Sequence, residues 1–424
     1  MSDYIFLLAR RLRPDQRQVL TQIQQAAERA QVHLFLAGGA VRDLLAGFTI
    51  RDLDFSVEGP ALKLARQLDS RQFVLQAVDE LRQSAELVFG GSATAEIAMC
   101  RKEHYSKPGA QPEISRATIQ DDLRRRDFSV NAIALSLNPG SRGLLLDPGN
   151  GLADIERKEL RSLNNNVFYD DPSRLLRATR LEVRLKYSLD EKTRAQFAAA
   201  LEAGVEEHIS PRARLRELRQ LAAEPDPVEA VRAVASASLL RVFEPHFDSQ
   251  KPDLAALAKI EKCRRLIEDS DQRMDTFGVF LYCLARNLSP SSQAHLRARA
   301  GMRSSEAVAW TQLGSRAKNL QRALAAKSMA QNSRLYRALA DTDPSVALFL
   351  LAFSAQAGVR ERIRHYFTDV VPLVREIERE IPALGLKPDS PQFARQRERH
   401  IMAGLDSKAA RRPSSQGQAA AAPK

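Results

Sequence analysis

The 424 residues include only three cysteines, Cys100, Cys263 and Cys283. An odd, widely spaced set argues against a disulfide framework and against the paired spacing of a zinc site, and it points to a reducing compartment. No apolar run approaches the roughly 20 residues that cross a bilayer; the strongest, Val346 to Phe353, is core-sized. Met1 to Arg13 mixes acid, aromatic and arginine too early for a secretory signal. These absences set aside membrane and secreted readings and leave a cytoplasmic one. Glycine is scarce in the second part of the chain: eight of the 19 lie beyond residue 165. The seven histidines are scattered, and His246 and Asp248 do not form the adjacent His-Asp pair of a metal phosphohydrolase, so no such activity is expected.

The length exceeds one core at about 150 residues per domain, and 44% hydrophobic with 27% charged residues is a globular composition. Lysine and arginine outnumber aspartate and glutamate by 64 to 52, a net charge of +12. That surplus suits an extended polyanion such as nucleic acid, or simply a basic soluble protein. The glycine-rich first part reads as mixed α/β. Val32 to Ala37 is an apolar strand, Gly38-Gly39 a turn, and Ala40 to Ala46 a helix ended by Gly47. Leu53, Phe55 and Val57 alternate with polar neighbours as a strand does, and Thr94 to Cys100 is another strand. Beyond residue 165 the spacing predicts helices over 226–243, 252–268, 274–286, 304–326 and 331–379, with a break near Pro344. Pro211 is placed to start a further one. There is no tandem repeat, and residues 407–424 are low-complexity, an expected disordered tail.

Asp52 and Asp54 are two residues apart on a strand, so both side chains leave the same face and can share Mg²⁺, which favours hard oxygen ligands. An ordinary amphipathic strand shows the same pattern. Ten residues earlier a strand runs through Gly38-Gly39 into a helix carrying Arg42. Glycines let backbone N–H groups approach an anion, the helix start adds positive partial charge, and an arginine adds a charge-assisted bond. A phosphate cradle beside a carboxylate pair describes nucleoside triphosphate chemistry.

GGAVRD followed by RDLDFSVEG resembles the catalytic signature of the polymerase β-type nucleotidyltransferases. More closely, it is similar to that of the bacterial (class II) tRNA nucleotidyltransferase and poly(A) polymerase family. RRDFSVNAIAL (125–135), DPGNGLADIERKELR (147–161) and DDPSRLLRATRLEVRLKY (170–187) follow in the family's order, and 383–406 is similar to the closing segment of CCA-adding enzymes. The resemblance implies an α+β fold, with a small mixed-sheet catalytic head over 1–165 and then an elongated all-α remainder. That remainder divides into a neck that recognises the base (166–230), a body (231–330) and a tRNA-binding tail (331–406).

Cytosine and adenine each present an exocyclic amine beside an unprotonated ring nitrogen. An aspartate accepts from the first and an arginine donates to the second. Uracil and guanine reverse that order and would leave buried groups unpaired, which costs several kcal/mol. The resemblance gives this role to Asp171 and Arg174, with Arg177 and Arg180 toward the nucleotide and its phosphates. It gives ribose reading to Arg125, Arg126, Asp127 and Asn131, with Arg126 within reach of base or phosphates. Asp170 stands where the family more often has glutamate. The Asp147, Gly149, Gly151 and Asp154 segment is a flexible element by resemblance and a plain turn by residue type. Tyr105 to Pro112 reads as a mobile loop, where the family carries a loop that helps set addition of the final A. Glu96 is either a third acid or base for the attacking hydroxyl, or a surface-strand glutamate. Gly38, Gly39 and Arg42 would bind phosphate, and Asp52 and Asp54 would hold two Mg²⁺ ions.

The implied activity is template-independent addition of the 3′-terminal CCA to tRNA from CTP and ATP, with no obligatory protein partner. Arg212, Arg214, Arg216 and Arg219 would hold the RNA backbone. CC-only or A-only addition fits nearly as well. A poly(A) polymerase would carry a G-[RK]-[RK]-F stretch where Val88 to Ala93 stands, and an inactive RNA-binding protein would lose the acids.

Overall fold

The computed structural model describes residues 4–90, 93–268, 276–380 and 391–409. Two compact units emerge, Met1–Asp248 with Ala298–Gly301, and Ser249–Arg297 with Met302–Lys424. The residues expected to form a head and a neck thus share the first unit.

Among the described residues that unit holds a seven-stranded sheet. Its strands are β1 (His33–Ala37), β2 (Leu53–Glu58), β3 (Phe73–Asp79), β4 (Ser84–Phe89), β5 (Thr94–Met99), β8 (Ala134–Ser136) and β9 (Leu145–Leu146). A separate hairpin joins β6 (Arg101–His104) to β7 (Glu113–Arg116). The sheet order is β3-β4-β5-β2-β1-β8-β9, with β2 and β5 parallel and the other neighbours antiparallel. β2 is central because its apolar positions, Leu53, Phe55 and Val57, are all fully enclosed. Each such side chain contributes about 1.5–3 kcal/mol on burial. The alternate positions, Asp54 and Ser56, stand on the opposite face.

Gly38 takes a left-handed φ of +67°, which turns β1 into the Gly39–Ala46 helix, and Gly47 at +78° ends that helix. Phe35, Ala37, Cys100, Ile119, Leu123, Ala132 and Ala134 form one core cluster. It pins the Ile119–Arg124 helix, capped by Thr118 through the Asp121 N–H, against the sheet. Residues 125–131 are thereby delivered to the Gly38 turn. The Ser173–Leu185 helix follows Pro172, and Ser210 and Pro211 start the Pro211–Ala222 helix as expected. The helix expected over 226–243 is instead Pro227–Ser236 followed by a 3-10 turn at Leu239–Val242, divided by a left-handed Ser238.

The second unit is helical. Leu254–Glu268 and Phe277–Ala285 match expectation, while 304–326 divides into Ser304–Thr311 and Leu313–Ala325. Pro290–Arg299 has too few apolar positions to have been foreseen. Asn332–Leu339, Pro344–Phe353 and Ala357–His365 lead through a π-helical turn, Tyr366–Val370, into Val371–Glu380. Val346–Ala352 is enclosed and Phe353 half-buried, with Asp343 capping the helix start through the Ser345 N–H. Among the described residues no helix is long and apolar enough to cross a membrane. The last helix, Pro391–Ala409, runs into the segment expected to be disordered; 383–390 and 410–424 lie outside the described residues.

Candidate active site

Parallel pairing sets Asp54 opposite Glu96, and antiparallel pairing sets Glu96 opposite Glu86. Three carboxylates therefore occupy one rung across β2, β5 and β4, on one face. Asp52, exposed at the end of β2, accepts a short hydrogen bond from Thr94 Oγ1. Half-buried Asp54 is pushed up to about 7, first by burial and then by the charges of Glu96 and Asp52, against the pull of Arg126 and Arg42. Glu86 is raised too, by burial and Glu96, although Arg212 and Arg216 oppose the shift.

The glycine turn closes on these acids. A Cβ on Gly38 would lie 2.7 Å from Arg126 Nη1 and 3.4 Å from Asp54 Oδ2; one on Gly39 would lie 3.5 Å from both Asp54 Oδ2 and Arg42 Nη2. Arg42 is held rigidly, Nε and Nη2 donating to Asp43 Oδ1 at 2.9 and 2.7 Å and Nη1 to Asn131 Oδ1 at 2.5 Å. Asp43 is shared with Arg184 at 2.7 Å. Asn131 Nδ2 donates to Asp127 Oδ1 at 3.0 Å, and Arg177 Nη1 donates to Asp127 Oδ2 at 2.8 Å. Burial opposes the charge on Asp127, but Arg177 and Arg174 hold its carboxyl far below the usual range. One network thus links the glycine turn to the arginine helix.

Arg126 Nη2 donates to Asp122 Oδ2 and Ser56 Oγ at 2.9 and 3.0 Å, and Nη1 to the Asn131 carbonyl at 3.2 Å. Its buried Nε has no partner among the described residues. Arg125 is given over to the scaffold, paired with Asp122 at 2.6 Å and Glu103 at 3.2 Å.

Asp171 is half-buried; its Oδ1 accepts from the Ser173 N–H at 3.1 Å and Ser173 Oγ at 2.6 Å. Burial works against its ionisation, but Arg216, Arg174 and Arg177 hold it below the ordinary value. Buried Arg174 is cradled by the Val167 and Arg125 carbonyls, each at 3.3 Å. Three-residue steps rotate successive side chains by about −60° around a helix, and the arginine stripe divides accordingly. Arg174 lies near Asp171, Arg177 bridges to Asp127, and Arg180 is turned into the helix packing. There it pairs with Glu217 at 2.9 Å and makes a short bond to Glu224. The Arg180 guanidinium is thus occupied by carboxylates, whereas the resemblance turned it toward the nucleotide.

The four arginines of the next helix also separate. Arg212, exposed, pairs with Asp79 at 3.1 Å. Arg214 is buried and donates to the Glu207 carbonyl at 3.1 Å. Arg216 donates to Ser173 Oγ at 3.0 Å, and Arg219 is half-buried in the last turn. Asp170 is raised by burial, and Asp154 is fully enclosed and bonded to Ser129 and Arg161 at 2.5 and 2.9 Å. The 105–112 loop packs on the first unit through Gly109, whose added Cβ would meet the His208 carbonyl at 2.3 Å.

Glu86, Thr94 and Ser173 were not singled out from the sequence. Glu86 and Glu96 are equidistant from Gly91, so the hairpin symmetry about Gly90-Gly91 was the available signal.

Among the described residues no three Asp, Glu, His or Cys side chains are gathered as a metal cage. Mg²⁺ does not need one: one or two carboxylates with substrate phosphates suffice. The suppressed ionisation of Asp54 beside Glu96 and Asp52 marks a deficit of positive charge that such a cation fits.

Residues 34–161 match the family model described as the poly A polymerase head domain. Over 419 residues the chain is 27% identical to an A-adding tRNA nucleotidyltransferase of Geobacter sulfurreducens, covering 97% of this chain and 47% of that protein. It is 40% identical over 229 residues to a CC-adding tRNA nucleotidyltransferase of Deinococcus radiodurans, covering 53% and 58%. The chain spans about half the length of the curated relatives it matches. An apo CCA-adding enzyme shares the fold at a TM-score of 0.56 and 24% identity, covering 96% of this chain and 95% of that one.

Proposed function

We propose that this chain is a template-independent RNA nucleotidyltransferase that builds or repairs the CCA end of tRNA from CTP and ATP in the cytoplasm. The observation that carries this reading is the placement of Asp54 and Glu96 on one rung against the Gly38-Gly39 turn, with Arg42 and Arg126 at its sides. The 3′-hydroxyl of the RNA attacks the α-phosphorus, the bond to the bridging oxygen breaks, and pyrophosphate leaves. The turn and Arg42 hold the triphosphate, Asp127 and Asn131 test the ribose hydroxyls, and Asp171 with Arg174 accept cytosine and adenine. Mg²⁺ held by Asp52 and Asp54, as one ion or two, would supply positive charge at the hydroxyl and the phosphates. Backbone contacts by exposed arginines would make RNA binding weaken with salt.

Purified protein and Mg²⁺ are incubated with tRNAs ending before C74, after C75 or complete, with each labelled nucleotide alone and with CTP and ATP together. Growth by C, C and A followed by a stop is the expected result. A second reading, addition of CC only or of A only, is favoured by relatives of both kinds, and addition of one kind alone would establish it. Long A tails or no incorporation would overturn the proposal.

A further inference from the structure

The Pro211–Ala222 helix brings Arg216 to the start of the Ser173–Leu185 helix. Arg216 Nη2 donates to Ser173 Oγ at 3.0 Å, and Ser173 Oγ in turn donates to Asp171 Oδ1 at 2.6 Å. A serine hydroxyl has a single hydrogen. With a guanidinium N–H directed at its lone pair, that hydrogen is committed to Asp171. The Ser173 backbone N–H fills the same Oδ1 at 3.1 Å. Oδ2 is left with Arg216 Nη2 at 3.9 Å, beyond hydrogen-bond distance. Arg216 is also the foremost of the charges that keep Asp171 ionised.

We propose that Arg216 and Ser173 form a relay that fixes the Asp171 carboxylate with Oδ2 presented, as an acceptor only, to the exocyclic amine of cytosine or adenine. Arg216 is then a positioning residue for base selection, not a contact to the RNA backbone. The proposal rests on the base-reading role of Asp171 argued above. Its physical content is the disposal of one hydrogen. Held on Asp171 Oδ1, that hydrogen keeps Oδ2 forward; without Arg216 or without the hydroxyl the carboxylate is no longer fixed, and its repulsion of the uracil carbonyl weakens. Loss of the relay therefore opens the site to the wrong pyrimidine while leaving the acids and the phosphate cradle in place. Ser173 is fully enclosed, so the hydroxyl has no water to compete for its hydrogen.

The test compares wild-type protein with R216M, R216K, S173A and the R216M/S173A double variant. It measures kcat/KM for CTP, ATP and UTP on a tRNA lacking its terminal nucleotides, and the KM for that tRNA. The preference for CTP over UTP is expected to fall about tenfold in R216M and in S173A. The double variant falls no further than the worse single one, because both act through one carboxylate. R216K, which keeps a donor and a charge, recovers part of the preference, and the KM for tRNA moves less than about twofold. An unchanged preference with a raised KM for tRNA would overturn the relay and return Arg216 to the RNA backbone. Additive losses in the double variant would overturn it too. Wild-type protein that transfers no nucleotide would instead overturn the proposed function, and the relay with it.

Discussion

Asp54 and Asp122 lie in the same unit, and Arg126 acts on both, yet they are driven in opposite directions. Burial disfavours the charge on each. At Asp54 the next contributions are Glu96 and Asp52, and the carboxyl is raised to about 7. At Asp122 the next are Arg125 and Arg126, which bond to it at 2.6 and 2.9 Å, and the carboxyl is held at about 2. The guanidinium of Arg126 is bonded to Asp122, so the acid rung keeps an unbalanced negative charge. A satisfied ion pair of this kind is scaffold; a carboxylate crowded by its own kind is waiting for a cation or a substrate proton.

Substitution of Asp54 should separate the two roles most sharply. Asp54→Asn removes a charge the fold does not need, so single-turnover CTP incorporation should drop by more than about 1000-fold while thermal unfolding and tRNA binding stay near wild type. Residual activity within tenfold of wild type would break the comparison at its catalytic end. Asp122→Asn should do the reverse. It strands Arg125 and Arg126 in a buried setting and should cost about 3 kcal/mol in denaturant unfolding. Because the folded Asp122 carboxyl sits at about 2, below its ordinary value, its contribution is present above about pH 4 and is lost as pH falls toward 2. The variant should lack that part of the acid slope.

Two glycines of positive φ give a smaller contrast. At Gly38 a Cβ meets Arg126 Nη1 at 2.7 Å, whereas at Gly47 nothing lies within 4 Å. Both alanine variants incur a positive-φ backbone penalty, about 1 kcal/mol at Gly47 and more at Gly38, whose ψ of −133° lies outside the left-handed helical region. Only Gly38→Ala should also raise the KM for CTP, by displacing Arg126; equal kinetics in the two variants would count against the turn as a phosphate cradle.

Local patterns told much of this in advance. The β1–glycine–helix turn and the Asp52/Asp54 strand were legible because strand period and glycine placement are properties of neighbouring residues. The order of motifs over 38–187 supplied the remaining candidate residues by resemblance. Pairings across strands were less accessible: Glu86 joins the rung only through the β4–β5 register, and Ser173 matters only because a later helix delivers Arg216 to it. The arginine stripe shows the limit most clearly. Equal spacing made Arg174, Arg177 and Arg180 look alike, but helix rotation and the carboxylates of Glu217 and Glu224 give each a different partner. Helix boundaries were misjudged where a single left-handed residue, Ser238, interrupts an otherwise helical pattern.

The same lesson applies to Arg212, Arg214 and Arg216, which composition groups as one basic patch and geometry does not. Arg212 is the most exposed member, its side chain 72% accessible against 44% for Arg216, and its partner Asp79 is also bonded to Arg82 at 3.2 Å. Arg212→Gln should therefore change stability by less than about 0.5 kcal/mol. If Arg212 meets an RNA phosphate, its loss should flatten the dependence of log binding constant on log salt by about 0.7–0.9 and leave the choice between CTP and UTP untouched. Arg216→Met should show the complementary pattern, with the salt slope kept and the choice of base lost. A salt slope that responds equally to both variants would mean that the two arginines act as one patch after all, and that the contact of Arg216 with Ser173 is incidental to RNA binding.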